Sequence, residues 1–452
     1  MIERLTWGYL MKMRTLLLAT TFLATTLLVT SMTGAAFATE GDGLAGFGAT
    51  QTALSGSDVA DTTDAMSLAL NPAGLVDAGQ QFDFGLSLFS PQRGYSTNGG
   101  TGFVAPEGAT SRNTLFPIPN IAYSQPIDAT SSWGVAVYGV GGGNTLFNAI
   151  PNANCAALGG GAGIYCGGES GTNLNKVFVS LGYARRFGNV SLGISPIFAI
   201  QQFSAYGFGA FAAGSASPTN LTNNGFDYNY GGGVRVGAEW HATQTLRFGI
   251  AATTPMWMTK FSKYSGLLAG QGSLDVPGDV TVGFAYDVLP TLTLMADYKH
   301  IFYSGVPAIH DSSRIPPPQL FGSSGGPGFG WSDVDVIAVG AEWRPMQALK
   351  IRVGYEHNTN PLKGRDITLG LTAPGITTDQ FSGGVSYAID QHSTIQLAGF
   401  YDPRNSVTGN EVTPLGVNPA GLITTHLSEF QVTLGYAYHF DGAKAPVRKD
   451  AF

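Results

Sequence analysis

Phe430-Gln431-Val432-Thr433-Leu434-Gly435-Tyr436-Ala437-Tyr438-His439-Phe440 carries an apolar or aromatic side chain at every second position. Phe430, Val432, Leu434, Tyr436, Tyr438 and Phe440 fall on one face; Gln431, Thr433, Gly435, Ala437 and His439 fall on the other. Successive side chains of a strand point to opposite sides of its sheet, so this period predicts a β-strand. Its apolar face ends in aromatics, as suits a strand that meets lipid and anchors at the headgroup level. The run reads as the closing strand of a membrane-spanning barrel.

The opposite end of the chain supplies the route to such a membrane. Lys12 and Arg14 precede an apolar run from Leu16 to Val29 and the small-residue pattern Ala36-Phe37-Ala38. That order predicts a secretory signal peptide over residues 1–38, cut before Thr39. Met11 and Met13 each open a better basic region than Met1, so the first ten residues read as an overcalled start. No later stretch has 18 uninterrupted apolar residues, which gives no reason to expect a spanning helix.

Composition agrees with export to lipid. The chain has 23 basic and 30 acidic residues; removing Arg4, Lys12, Arg14 and Glu3 leaves 20 against 29. An acidic balance offers no electrostatic basis for nucleic-acid binding. Gly, at 63 of 452 residues, is about twice its usual share, and charged residues, at 12%, are about half theirs. Cys155 and Cys166 lie in a Gly/Ala/Asn-rich stretch, where an oxidising compartment predicts a loop disulfide. Two cysteines are too few for a zinc site, and the residues call for no metal or cofactor.

Alternation predicts about fourteen strands, near 81–91, 117–127, 132–142, 174–186, 188–205, 227–241, 245–256, 277–288, 291–303, 332–344, 348–358, 379–389, 393–403 and 427–440. After the first, the connections alternate long and short. The short ones, such as Asp128 to Ser131 and Asp390 to His392, suit periplasmic turns; the long ones, rich in Gly, Asn, Ser and Pro, suit extracellular loops. The expected fold is therefore all-β: a 14-stranded antiparallel transmembrane barrel over 81–440, wide enough for a lumen. Residues 39–80 do not alternate and carry Leu, Ala and Met with little charge, which predicts an N-terminal plug. A polar tail, 441–452, follows the last strand.

Several blocks, in order along nearly the whole mature chain, resemble the FadL-type outer-membrane transporters of long-chain fatty acids and aromatic hydrocarbons. Asn71, Pro72 and Ala73 are similar to that family's hatch motif. Pro255-Met256-Trp257-Met258, Asp275-Val276-Pro277, Trp331-Ser332-Asp333-Val334 and Arg352-Val353-Gly354-Tyr355 follow its pattern. Asp379 departs from it, standing where a His is frequent. The resemblance implies an outer-membrane location, assembly by the barrel-assembly machinery, contact with lipid and lipopolysaccharide, and a hydrophobic cargo. It also implies a route: loop capture, a lumen site, hatch rearrangement and lateral exit at a kinked third strand. Gly139, Gly141 and Gly142 are the kink candidates, since glycine in a strand marks bulges; they are equally placed to begin a loop.

Trp257, Met258, Phe261, Tyr264, Leu267 and Leu268 form the candidate capture loop, as Met and aromatics make adaptable contacts. The alternative is that they pack this loop against its neighbours. Arg235, Lys299, Lys350 and Arg352 are candidate lumen partners for a cargo carboxylate, because an unpaired buried charge is costly. The alternative is that they pair with Glu239, Asp297, Glu342 and Glu356. Other functions find less support. No usable Gly-x-Ser-x-Gly motif points to a lipid hydrolase, a general diffusion porin needs no apolar plug, and an adhesin would use only the loops. Nothing suggests a trimer, so a monomer is expected.

Overall fold

The computed structural model describes residues 40–158, 161–313, 319–413 and 416–440; the expected signal peptide and polar tail lie outside them. Fourteen long strands make up the wall. They are β1 Gln81–Gly99, β2 Phe116–Pro126, β3 Ser131–Phe147, β4 Ser170–Phe187 and β5 Val190–Tyr206. Then come β6 Asp227–His241, β7 Leu246–Thr253, β8 Asp279–Leu289, β9 Leu292–Ile301 and β10 Val334–Met346. The last four are β11 Leu349–Asn358, β12 Asp379–Ala388, β13 Ser393–Thr413 and β14 Gly416–His439. Each pairs antiparallel with the next, and β14 pairs with β1, which closes the sheet. The two-residue strands Ala109–Thr110 and Trp257–Met258 only decorate β1 and β6. Among the described residues no helix is long and apolar enough to cross a membrane.

The closing seam shows why alternation specifies this wall. Leu86 stands opposite Leu434 and Leu88 opposite Val432, and all four are exposed on the outside. Between them Ser87 lies opposite Thr433, inside, with their hydroxyls 2.8 Å apart. The same outward apolar residues recur on other strands, as at Ile194, Ile250, Phe284, Ile337, Val353 and Leu397. A closed sheet with this exterior satisfies its backbone internally and presents hydrocarbon to lipid, which is how strands span membranes. Short turns close one end. Asp128 accepts bonds from the Thr130 and Ser131 amides, and Asp390 from those of His392 and Ser393. Bonds from Ser131 and Thr130 hold the Asp128 carboxyl well below its usual range.

The connection expected between residues 403 and 427 is instead a continuation of β13 and β14 as a projecting ribbon. Its polar residues still alternate: Thr408 pairs with Thr424 on the exposed side, while Ile423 and Leu427 turn into the apolar core of the loops.

Residues 40–80 run inside the wall, and glycine makes room for them. Gly85 pairs with Gly435, Gly134 with Gly182, Gly193 with Gly237, Gly249 with Gly283, and Gly340 with Gly354. A Cβ on Gly354 would meet Leu54; on Gly340, Ser57; on Gly249, Val59; on Gly237, Asn71; and on Gly193, Pro72. The inner segment therefore passes around the wall in reverse strand order, packed directly on bare strand backbone. Gly237→Val is expected to cost about 1–3 kcal/mol by overpacking. Gly209→Val, where nothing lies within 4 Å, is expected to be near neutral; heat-modifiable migration in detergent gels measures both.

Candidate functional site

The segment inside the barrel has only short helical turns, Gly48–Ala53, Ala65–Ala69, Pro72–Gly74 and Leu75–Ala78, and side chains tether it. Asn71 precedes the short turn Pro72–Gly74. Its Nδ2 donates to the carbonyls of Val59 (2.7 Å) and Ala238 (3.2 Å), and its Oδ1 accepts from the Ala73 amide at 3.1 Å. Pro72 occupies the first turn position, where a missing N–H is harmless. Wall side chains supply further ties. The Val59 amide donates to Asp297, the Ala65 amide to Asp83 and the Thr62 hydroxyl to Glu239, at 2.6–3.0 Å. Asp61 pairs with Arg247, which also holds Asp287.

Three of the four candidate cations are engaged. Arg235 donates to the carbonyls of Leu68 and Ala69 and, through Nε, to Thr253. Lys299 pairs with Glu40 at 2.6 Å, and Arg352 with Glu342 at 2.8 Å. Lys350 alone of the four has no ion pair within 4.0 Å among the described residues. Sequence reading missed a fifth cation, Lys176 on β4, which is buried against Asp42 at 2.8 Å. Its only signal was a charge set well away from Arg185 and Arg186 at the other end of the same strand.

Glu40 and Asp42 belong to the start of the inner segment, and they sit at a break in the wall. β2 pairs with β1 from Phe116 onward but with β3 only from Asn120. The uncovered end of β2 is Phe116-Pro117-Ile118-Pro119, and its two prolines have no N–H to offer a neighbour. Opposite, β3 bulges between Gly139 and Gly141, making Val140 the extra residue. Gly141 and Gly142 have φ of +105° and +150°, which favour glycine. The inner segment enters the break: Gly43 bridges to Gly141, and the Gly142 amide donates to the Asp42 carbonyl at 3.0 Å. Tyr303 fastens the same stretch, donating to the Glu40 carbonyl (2.7 Å) and accepting from the Asp42 amide (3.0 Å). The three glycines thus do not begin a loop; β3 continues through them to Phe147.

At the extracellular end the long loops fold over one apolar core. Phe261, Tyr264, Leu267 and Leu268 are buried in it, while Trp257 is 61% exposed and Met258 half-buried. The expectation of a displayed six-residue patch is corrected: the loop turns its apolar side inward against Phe203 and its neighbours, with Phe203 and Tyr264 rings 5.0 Å apart. Leu267 and Leu268 nevertheless line an apolar cleft together with Phe208, Phe321, Phe329 and Leu369. A disulfide joins Cys155 to Cys166 across 5.4 Å between Cα atoms, and neighbouring Tyr165 stacks on Phe103 within the core. Asp379 lies on the outer wall rather than in the lumen, accepting from Tyr355 (2.7 Å) and close to the His357 ring nitrogen (3.0 Å).

No family model matches the sequence, and no curated protein matches it. Solved structures do. The toluene transporter TodX of Pseudomonas putida covers 88% of this chain and 99% of its own, with 16% identity and a TM-score of 0.64. A FadL homologue of Pseudomonas aeruginosa covers 89% and 98%, with 16% identity and a TM-score of 0.62. The toluene transporter TbuX of Ralstonia pickettii covers 88% and 99%, with 16% identity and a TM-score of 0.59. The fold is that of the FadL-type barrels.

Placement separates the two halves of the candidate loop. Leu267→Ser is expected to destabilise the cap by about 2–5 kcal/mol, as truncations of buried leucine do. Trp257→Ser should stay within about 0.5 kcal/mol; thermal unfolding in detergent compares them.

Proposed function

We propose that this chain is an outer-membrane channel for passive uptake of hydrophobic small molecules, with residues 40–80 acting as a hatch. The observation that carries the reading is the shared break: the same few hatch residues fill the lumen and complete the wall at the β3 bulge. A route follows from it. An apolar molecule parts the loops at the crevice of about 10 Å³ beside Leu267 and Leu268, passes into the lumen, and displaces the start of the hatch. It then leaves sideways into lipid between β2 and the bulged part of β3. No bond is made or broken, so an enzyme-like constellation is not called for. The FadL-type fold, shared with transporters of toluene, supports this reading over a general porin, whose lumen would stand open.

The cargo class favoured by the lumen is neutral. Arg235, Lys299, Arg352 and Lys176 are already held by chain carbonyls or carboxylates, leaving Lys350 as the one candidate anchor for a fatty-acid carboxylate. The barrel works as a monomer in this scheme, since each step uses residues of one chain.

Uptake of labelled toluene and labelled oleate by cells with and without the protein tests both levels. Loss of toluene uptake alone is expected; loss of oleate uptake alone would move the assignment to fatty acids, and no change in either would defeat it. Deleting residues 40–80 should convert a nearly silent barrel in a planar bilayer into a steadily conducting pore. Unchanged low conductance of a correctly inserted deletion barrel would remove the hatch from the scheme.

A further inference from the structure

Glu239 is a buried carboxylate, 2% exposed, on the lumen face of β6 near its periplasmic end. Its Oε1 accepts from Thr62, and no cation lies within 4.0 Å among the described residues. Burying such a charge without compensation costs several kcal/mol. Two residues along the same face stands His241, whose Nε2 is closed off from solvent and has no hydrogen-bond partner. The backbone of His241 is fixed by the Asn189 carbonyl at 2.8 Å and the Asn189 side chain at 3.3 Å. From the hatch, at the end of the short helix Leu75–Ala78, comes Asp77. Arg186 lies against Oδ2 of Asp77, leaving Oδ1 uncommitted. One ligand atom from each of Asp77, Glu239 and His241 lies within 4.8 Å of the other two.

We propose that Asp77, Glu239 and His241 form a binding site for a divalent transition-metal ion that fastens the end of the hatch to the barrel wall. Two carboxylates and an imidazole are the donor set that borderline ions such as Zn2+ accept. Ligands of a tetrahedral ion at about 2.0–2.2 Å stand about 3.4 Å apart, so the three side chains, whose ligand atoms lie within 4.8 Å of one another, must draw together on binding. The ion would neutralise Glu239 and give the unpartnered imidazole nitrogen a bond. Because Asp77 is in the hatch while Glu239 and His241 are in the wall, binding couples directly to hatch docking. The site stands independently of what the channel carries.

The test is calorimetric titration of the EDTA-stripped, full barrel with Zn2+, with folding checked by heat-modifiable migration. One site per chain is expected in the wild type. Glu239→Gln and His241→Gln should each weaken it by more than about tenfold, since even outer-shell partners are worth about 10–100-fold. His357→Gln, at the separate His–Asp pair on the outer wall, should leave it unchanged. Absence of saturable binding, or a site that survives both substitutions, overturns the proposal. Zn2+ should also slow hydrogen exchange across residues 58–78 in the wild type and not in His241→Gln; equal exchange with and without metal would refute the clamp. Failure here leaves the uptake reading untouched, because binding is measured without cargo.

Discussion

Hydrocarbon offers no water to an unsatisfied backbone N–H or C=O, so a wall of strands in lipid tolerates no open edge. The pairing of β1 with β14 meets that demand along the seam from Gln81 to Gly99. At the β2–β3 break the wall cannot meet it alone: prolines remove donors from one side and the Val140 bulge turns the other away. Asp42 and Gly43 supply the missing partners from inside the lumen. Their own position depends on Lys176, Lys299 and Tyr303. Withdrawing them would leave polar backbone at the break without partners, which under the proposed route couples movement of the inner segment to the wall.

The same constraint accounts for the glycine content. An inner segment whose regular structure is limited to short helical turns must find partners for its other amides on the wall, and it reaches them by close approach. Paired glycines at Gly193/Gly237 and Gly340/Gly354 remove the side chains that would hold it off. Asn71, Asp297 and Asp83 then complete the hydrogen bonding that an irregular backbone lacks. Glycine therefore serves the lumen here by steric absence as much as by conformational freedom.

How much of this was legible in the sequence follows from the range of the interactions. Fourteen strands were readable because alternation is local and each outward face meets the same solvent, lipid. The projecting β13–β14 ribbon was misread because both of its faces are largely polar above the membrane. The capture loop was misplaced for a related reason: Phe261, Tyr264 and Leu267 look alike whether they face water or Phe203, and only the neighbouring loops decide. Lys176 with Asp42, or Lys299 with Glu40, are partners brought together by closure of the barrel, and no period records them. The Phe116-Pro117-Ile118-Pro119 stretch was a readable signal that went unused: paired prolines one residue apart mark a strand edge without a neighbour.

Charge then bears on what such a lumen can carry. Apart from Lys350, the candidate cations that a carboxylate entering from the cap would meet already hold chain partners. Separating a buried pair such as Lys176–Asp42 leaves an uncompensated charge, at a cost of about 3–5 kcal/mol unless the newcomer replaces every lost contact. A neutral aromatic molecule needs no exchange and gains about 25 cal/mol for each Å² of apolar surface removed from water. Transit also needs release, and a molecule held by a buried ion pair would be slow to pass on to lipid. Under the proposed function, weak, non-directional contacts favour both entry and departure, and cations already committed to chain partners suit an apolar cargo better than free ones would.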